Sequence, residues 1–197
     1  TLFASATSSF TSELIIKQTD MKSRILLLII TICSLTFSAA QEQPLKINTN
    51  TSQIKWIGEY TFYFGGHNGT IDFKDGHFLK MGDVITGGEF TIDMTSIKCL
   101  DIESQQGKDG LVNHLKDPDF FDVANHKEAK LFITEVNYHT NTEMEMRADL
   151  VIKGHTNPIK FNAKVDFEKE QMTTRFKIDR TLWGVSYNSD IKDNAIS

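Results

Sequence analysis

Apolar and polar residues alternate with a period of two over most of the chain beyond residue 45. Met144, Met146, Ala148, Leu150 and Ile152 are apolar, whereas Glu145, Arg147 and Asp149 between them are charged; only Val151 breaks the pattern. Ile159, Phe161, Ala163 and Val165 alternate with Lys160, Asn162 and Lys164. Met172, Phe176 and Ile178 share one parity, with Thr173, Arg175, Lys177 and Asp179 on the other. A helix would spread each apolar set around its circumference, whereas a strand places it on one face. The pattern therefore predicts antiparallel sheet with one dry and one wet side.

The earlier part of the chain reads in the same way. Ile54, Trp56, Tyr60, Phe62 and Phe64 share a parity interrupted by Gly58, and Phe90, Ile92 and Met94 share another. Asp75-Gly76, between Gly69–Lys74 and His77–Lys80, predicts a hairpin turn. Gly87-Gly88 predicts a bend or bulge, residues 131–138 a strand, and Lys153–Asn157 a short turn. The exception is Gly107–Asp122, where Leu111, Val112 and Leu115 lie at helical spacing before Pro118 and Phe120-Phe121. It predicts one or two short helical turns over a barrel end or wall. Eight or so strands, each with one apolar face, fit a sandwich or a closed barrel. Closure removes exposed edges, and eight strands can enclose side chains or one small ligand.

The start of the chain has a different character. Thr1, not Met, comes first, and residues 1–20 read as an upstream extension or a fragment boundary. From Met21, Lys22 and Arg24 precede the uncharged stretch Ile25–Phe37, and Ser38-Ala39-Ala40 offers small residues before Gln41. Residues 21–40 are thus expected to be a cleaved secretory signal peptide. Thirteen helical residues rise only about 20 Å, short of a bilayer core of roughly 30 Å. The expected location is periplasmic or secreted, with no transmembrane span in the mature chain. Beyond residue 40 the sole cysteine is Cys99, so an exported form has no internal disulfide and relies on its core.

Composition narrows the chemistry. The 40% hydrophobic and 24% charged residues exclude a disordered acidic chain. A net charge of −5 gives no reason to expect nucleic acid. The histidines at 67, 77, 114, 126, 139 and 155 are dispersed, with no H-E-x-x-H and no close pair, so no metal site is expected. His114 near Asp117 and Asp119 could serve acid–base chemistry, but a loop with a capping aspartate before Pro118 is the simpler reading. No nucleophile elbow, phosphate loop or cysteine–histidine signature is present, and no catalytic residue is assigned.

Five segments, in order, resemble the YceI-like family: Gly66-His67-Asn68-Gly69-Thr70-Ile71; Gly88-x-Phe90-x-Ile92-Asp93-Met94-x-Ser96-Ile97; His114-Leu115-Lys116-x-x-Asp119-Phe120-Phe121-Asp122-Val123; Ala148–Thr156 followed by Pro158-Ile159; and Phe176-x-Ile178-Asp179-Arg180-x-x-Trp183-Gly184-Val185. The resemblance covers about Ser52 to Tyr187. It departs where the family has Tyr-Pro, here His126 and Lys127, and where it has an aromatic, here Leu131. It implies a mainly β fold over residues 45–197: an antiparallel, lipocalin-like eight-stranded barrel with one or two short helices, its last strand expected to be missing beyond Ser197. It also implies a non-enzymatic carrier for a polyisoprenoid or other long-chain lipid, such as an isoprenoid quinone, with no further cofactor and room for a homodimer. An enzyme using the same cavity, and a structural barrel with a filled core, are the alternatives.

The expected cavity lining is Trp56, Tyr60, Phe62, Phe64, Phe73, Phe90, Ile92, Phe120, Phe121, Phe132, Met144, Met146, Leu150, Ile159, Phe161, Phe176 and Trp183, with Arg180 and His114 as head-group contacts.

Overall fold

The computed structural model describes residues 41–59 and 66–187. The readings for residues 1–20 and 21–40, for Tyr60, Phe62 and Phe64, and for the end of the chain lie outside these. Eight antiparallel strands form a curled sheet: β1 (Gln43–Lys46), β2 (Ile54–Glu59), β3 (Gly66–Met81), β4 (Val84–Cys99), β5 (Glu128–Tyr138), β6 (Glu143–Ile152), β7 (His155–Asp166) and β8 (Gln171–Thr174). The order is β1-β3-β4-β5-β6-β7-β8, and β2 also pairs with β3. β2 occupies the first part of β3, Gly66 to Ile71, and β1 the last, His77 to Lys80. The arrangement is the half-barrel of a lipocalin-like fold.

The alternation of β6 and β7 is realised as written. Met144 and Met146 are fully buried, and they pair across with Ala163 and Phe161. Lys153 and Gly154, both at positive φ, make the turn between the two strands, which is tighter than the five-residue turn expected.

Two expectations are corrected. Asp75-Gly76 is not a hairpin turn: β3 runs through it, and the chain reverses instead at Gly82-Asp83, where Gly82 has φ 61°. The pairing shifts register between Phe73 and Asp75, so a bulge at Lys74 directly precedes the dipeptide, which pairs with Thr91 and Phe90. A Cβ on Gly76 would lie 2.5 Å from a Phe90 ring carbon, so the glycine is there to let that ring approach. The strand expected to reach Asp179 ends at Thr174, and the chain then passes to a 3₁₀ turn, Arg180–Trp183.

The predicted helical turns are one three-turn helix, α1 (Gln105–Lys116). Ser104 caps it, its hydroxyl accepting from the Gly107 N–H at 3.2 Å. It stops at Asp117 because Pro118 drives the preceding residue to extended backbone.

Two clusters of buried residues make the core. One gathers Leu115 of α1, Phe120, Val123, Trp183 and Val185 against Ile71, Met94, Ile97, Leu150 and Ile152. The other joins Ile85, Phe90, Ile133, Met144, Met146, Phe161 and Val165 at the hairpin-tip end. Leu131 and Ile159 pack against both.

Candidate functional site: an apolar cavity

Bulges decide which side chains face inward. Ile71 and Phe73 precede the β3 bulge, and Phe78 follows it with the opposite sequence parity; all three line the same cavity. β5 repeats the device: Leu131 and Ile133 face in before a shift at Ile133/Glu135, and Val136 then pairs with Met146 and Tyr138 with Met144. In β4 the shift at Asp93–Lys98 is closed by polar contacts. The Asp93 carboxylate accepts from the Thr95 N–H (2.9 Å) and hydroxyl (2.6 Å), and the Ser96 hydroxyl donates to the Asp93 carbonyl (2.6 Å) while accepting from the Asp72 N–H (2.8 Å). The correction lets Ile97 face inward as Ile92 and Met94 do.

The result is a cavity of about 2510 Å³. Ordinary small-molecule pockets are about 300–1,000 Å³. It runs along β4 from Ile85 to Ile97. Twelve residues of strand rise roughly 40 Å, or about 30 Å along the axis of a barrel with ordinary tilt. At one end lie Leu45, Lys80, Asp83, Phe167 and Glu170; at the other His67, Leu111, His114, Arg180 and Tyr187.

Of the expected lining, Trp56, Phe73, Phe90, Ile92, Phe120, Phe121, Met146, Leu150, Phe161 and Phe176 border this space, as do His114 and Arg180. Phe90 sits between Phe73 and Phe78, with ring centroids at 6.0 and 4.9 Å. Phe161 stacks on Phe176 at 4.8 Å, joining the β7 wall to the segment after β8. Met144 and Ile159 belong to the packed core and do not border the cavity. Trp183 is only 1% exposed, and its indole N–H donates to the Leu150 carbonyl at 2.8 Å. Phe132 is placed elsewhere. It pairs with Glu89 and Asp149, between the inward Leu131 and Ile133, and so stands on the outer face of the sheet.

The lining that sequence reading missed includes Ile71, Phe78, Ile97, Leu131, Ile133 and Tyr187. Phe78 was hidden by the supposed hairpin. Leu131 carries the wall where the family has an aromatic.

Polar groups gather at the α1 end. Arg180 is 7% exposed, and its guanidinium donates to the Val185 carbonyl and, at 2.6 Å, to the Tyr187 carbonyl, while lying 5.1 Å from the Phe120 ring centroid. Burial lowers its pKa, and neighbouring Asp179 raises it. Asp179 itself caps the 3₁₀ turn, accepting from the Thr181 N–H (3.0 Å) and hydroxyl (2.7 Å). Both residues are backbone anchors. His114 packs its ring edge-on to Tyr187 (4.4 Å) and Phe120 (5.6 Å). Cys99 is buried and free; its thiol donates to Asp101 Oδ1 at 3.2 Å, and His67 Nδ1 meets Oδ2 of the same carboxylate at 3.2 Å. The thiol's partner is therefore a carboxylate that accepts its hydrogen bond. Among the described residues, no helix is long and apolar enough to cross a membrane.

The sequence model of the YceI-like domain matches residues 45–197. The chain belongs to the YceI-like family. YceI-like proteins are barrel binding proteins rather than enzymes. Among solved structures, BcnA of Burkholderia cenocepacia is 14% identical, with a TM-score of 0.57 over 71% of this chain and 85% of that one. The Campylobacter jejuni YceI protein is 17% identical, with a TM-score of 0.45 over 71% and 79% of the two chains. A cysteine variant of it covers 82% and 91%, with a TM-score of 0.46. At these identities the likeness to BcnA concerns the fold. No curated protein matches the chain.

Proposed function

We propose that the protein binds and carries a long apolar chain, a polyisoprenoid or a lipid of similar length, in the cavity lined by the inner face of the curled sheet. The observation that carries this reading is a half-open volume of about 2510 Å³ whose wall is mostly apolar and whose rim is polar. A core built only for stability is packed with few voids larger than a water molecule. Leaving this much apolar surface unfilled forfeits dispersion contacts, a loss that a bound chain would restore. At roughly 0.3 kcal/mol per heavy atom, a forty-carbon chain would gain about 12 kcal/mol, equivalent to nanomolar affinity without an ion pair.

The pattern in residues 21–40 supports export, with cleavage after Ala40 and action in the periplasm or outside the cell. Two measurements test the proposal. Delipidated protein titrated with a C40 prenyl alcohol should saturate at one chain per protein with nanomolar Kd. N-terminal sequencing of protein recovered from a periplasmic fraction should begin at Gln41. Failure to saturate with prenyl chains and fatty acids alike would overturn the carrier reading; an intact Met21–Ala40 segment on the recovered protein would overturn the export reading.

A further inference from the structure

The end of α1 and the turn that follows bring together three metal-ligating groups, of which only His114 borders the apolar cavity. A ring nitrogen of His114 and a carboxylate oxygen from each of Asp117 and Asp119 all lie within 4.8 Å of one another. We propose that these residues form a binding site for a divalent transition-metal ion, with zinc as the reference case. The site is independent of the lipid reading.

The placement follows from the backbone. His114 is in the last turn of α1; Asp117 leaves the helix with extended φ and ψ of −65° and 159°, and Pro118 fixes the next step. The Asp117 carbonyl then accepts from the N–H groups of Phe120 (3.0 Å) and Asp122 (2.8 Å), folding the chain so that Asp119 returns toward His114. The imidazole is half-buried and held by its edge contacts with Tyr187 and Phe120, whereas the two carboxylates are exposed and free to rotate. Metal bonds of about 2.0–2.2 Å put neighbouring donor atoms roughly 3–3.5 Å apart. Rotation of the aspartate side chains is enough to close the remaining gap.

The groups are also uncommitted. Among the described residues, neither aspartate side chain and neither ring nitrogen of His114 takes part in a hydrogen bond or ion pair. The nearest lysines are engaged elsewhere: Lys116 Nζ donates to the Thr95 carbonyl and Lys153 Nζ to the Pro118 carbonyl, each at 2.8 Å. Two carboxylates beside an imidazole, with no cation paired to them, form an anionic donor set. One nitrogen and two oxygens suit zinc, cobalt or nickel better than magnesium or calcium, which prefer oxygen alone. Three protein ligands leave a coordination position open, and His114 borders the cavity, so the ion would sit at its rim.

The test uses untagged protein dialysed against EDTA and titrated calorimetrically with zinc chloride. One ion per chain is expected to bind saturably. Asp117→Asn/Asp119→Asn, at two exposed positions, and His114→Gln should each weaken binding by at least about tenfold. His77→Ala and His139→Ala should leave it unchanged. Paramagnetic cobalt should broaden the amide resonances of residues 113–117, 119, 120 and Tyr187 ahead of all others. Absence of saturable binding, unchanged affinity in the folded double aspartate variant, or broadening centred elsewhere would overturn the assignment.

Discussion

Asp101 accepts hydrogen bonds from both sides, the Cys99 thiol on one oxygen and His67 on the other, and its side chain is 25% exposed. Desolvation raises its pKa, but hydrogen bonds from the Cys99 thiol, the Asn68 and Asp101 backbone and the His67 ring outweigh it, so the carboxyl is held below the usual aspartate range. A depressed folded-state pKa gives stability that is present above the unfolded value and is lost as pH falls through the folded one. Asp101→Asn should therefore cost about 1–2 kcal/mol at pH 7, and the gap from wild type should narrow in acid below pH ~4. Urea midpoints at pH 7 and pH 3 check this; a gap of equal size at both would contradict it. Arg180 works differently, as a buried strut. Arg180→Met would leave the Val185 and Tyr187 carbonyls without these donors and should destabilise by roughly 2–4 kcal/mol in the same assay.

Among the elements, the bulges carry most of the consequence. Each inserts an odd number of residues, one in β3 and β5 and three at Asp93–Lys98 of β4, and so reverses the relation between sequence parity and face and lets the strand line the cavity along its length. Gly76 is the most sensitive point, because a Cβ there meets the Phe90 ring at 2.5 Å and Ile47 at 3.1 Å. Phe90 is pinned by two other phenylalanines and cannot yield freely. Gly76→Val should cost about 1–3 kcal/mol and lower ligand retention along with stability. A variant as stable as wild type in chemical denaturation would show that the ring moves easily. This device also explains what the sequence conceals. Period two in β6 and β7 was legible because neither strand is bulged within its pairing. Asp75-Gly76 has the composition of a turn, and nothing local reveals that β1 and β2 flank it and extend β3 through it. Phe132 was assigned to the lining by residue type, although the parity of Leu131 and Ile133 placed it outside.

At the scale of the whole molecule, members of both core clusters border the cavity, which runs past the two of them from Ile85 to Ile97. The class of fold, the apolar lining and most of its aromatic members could be read from alternation and five short motifs. The division between lining and packed core could not, because Met144 and Met146 share a face and only the second borders the cavity. Phe161, stacked on its neighbour Phe176 in the cavity wall, is where a charge would be most disruptive. Phe161→Asp should abolish retention of a prenyl chain in a protein that still folds, since the carboxylate must either be desolvated or draw in water. Unchanged retention would remove Phe161 from the site.

On the proposed function, the cavity is there to be filled by a long hydrocarbon. Native mass spectrometry of freshly purified protein tests it most directly. The expected spectrum contains a population heavier than the polypeptide by the mass of one extractable apolar chain, with that population absent from Phe161→Asp. A spectrum of bare polypeptide that stays bare after incubation with prenyl alcohols, quinones and fatty acids would contradict it.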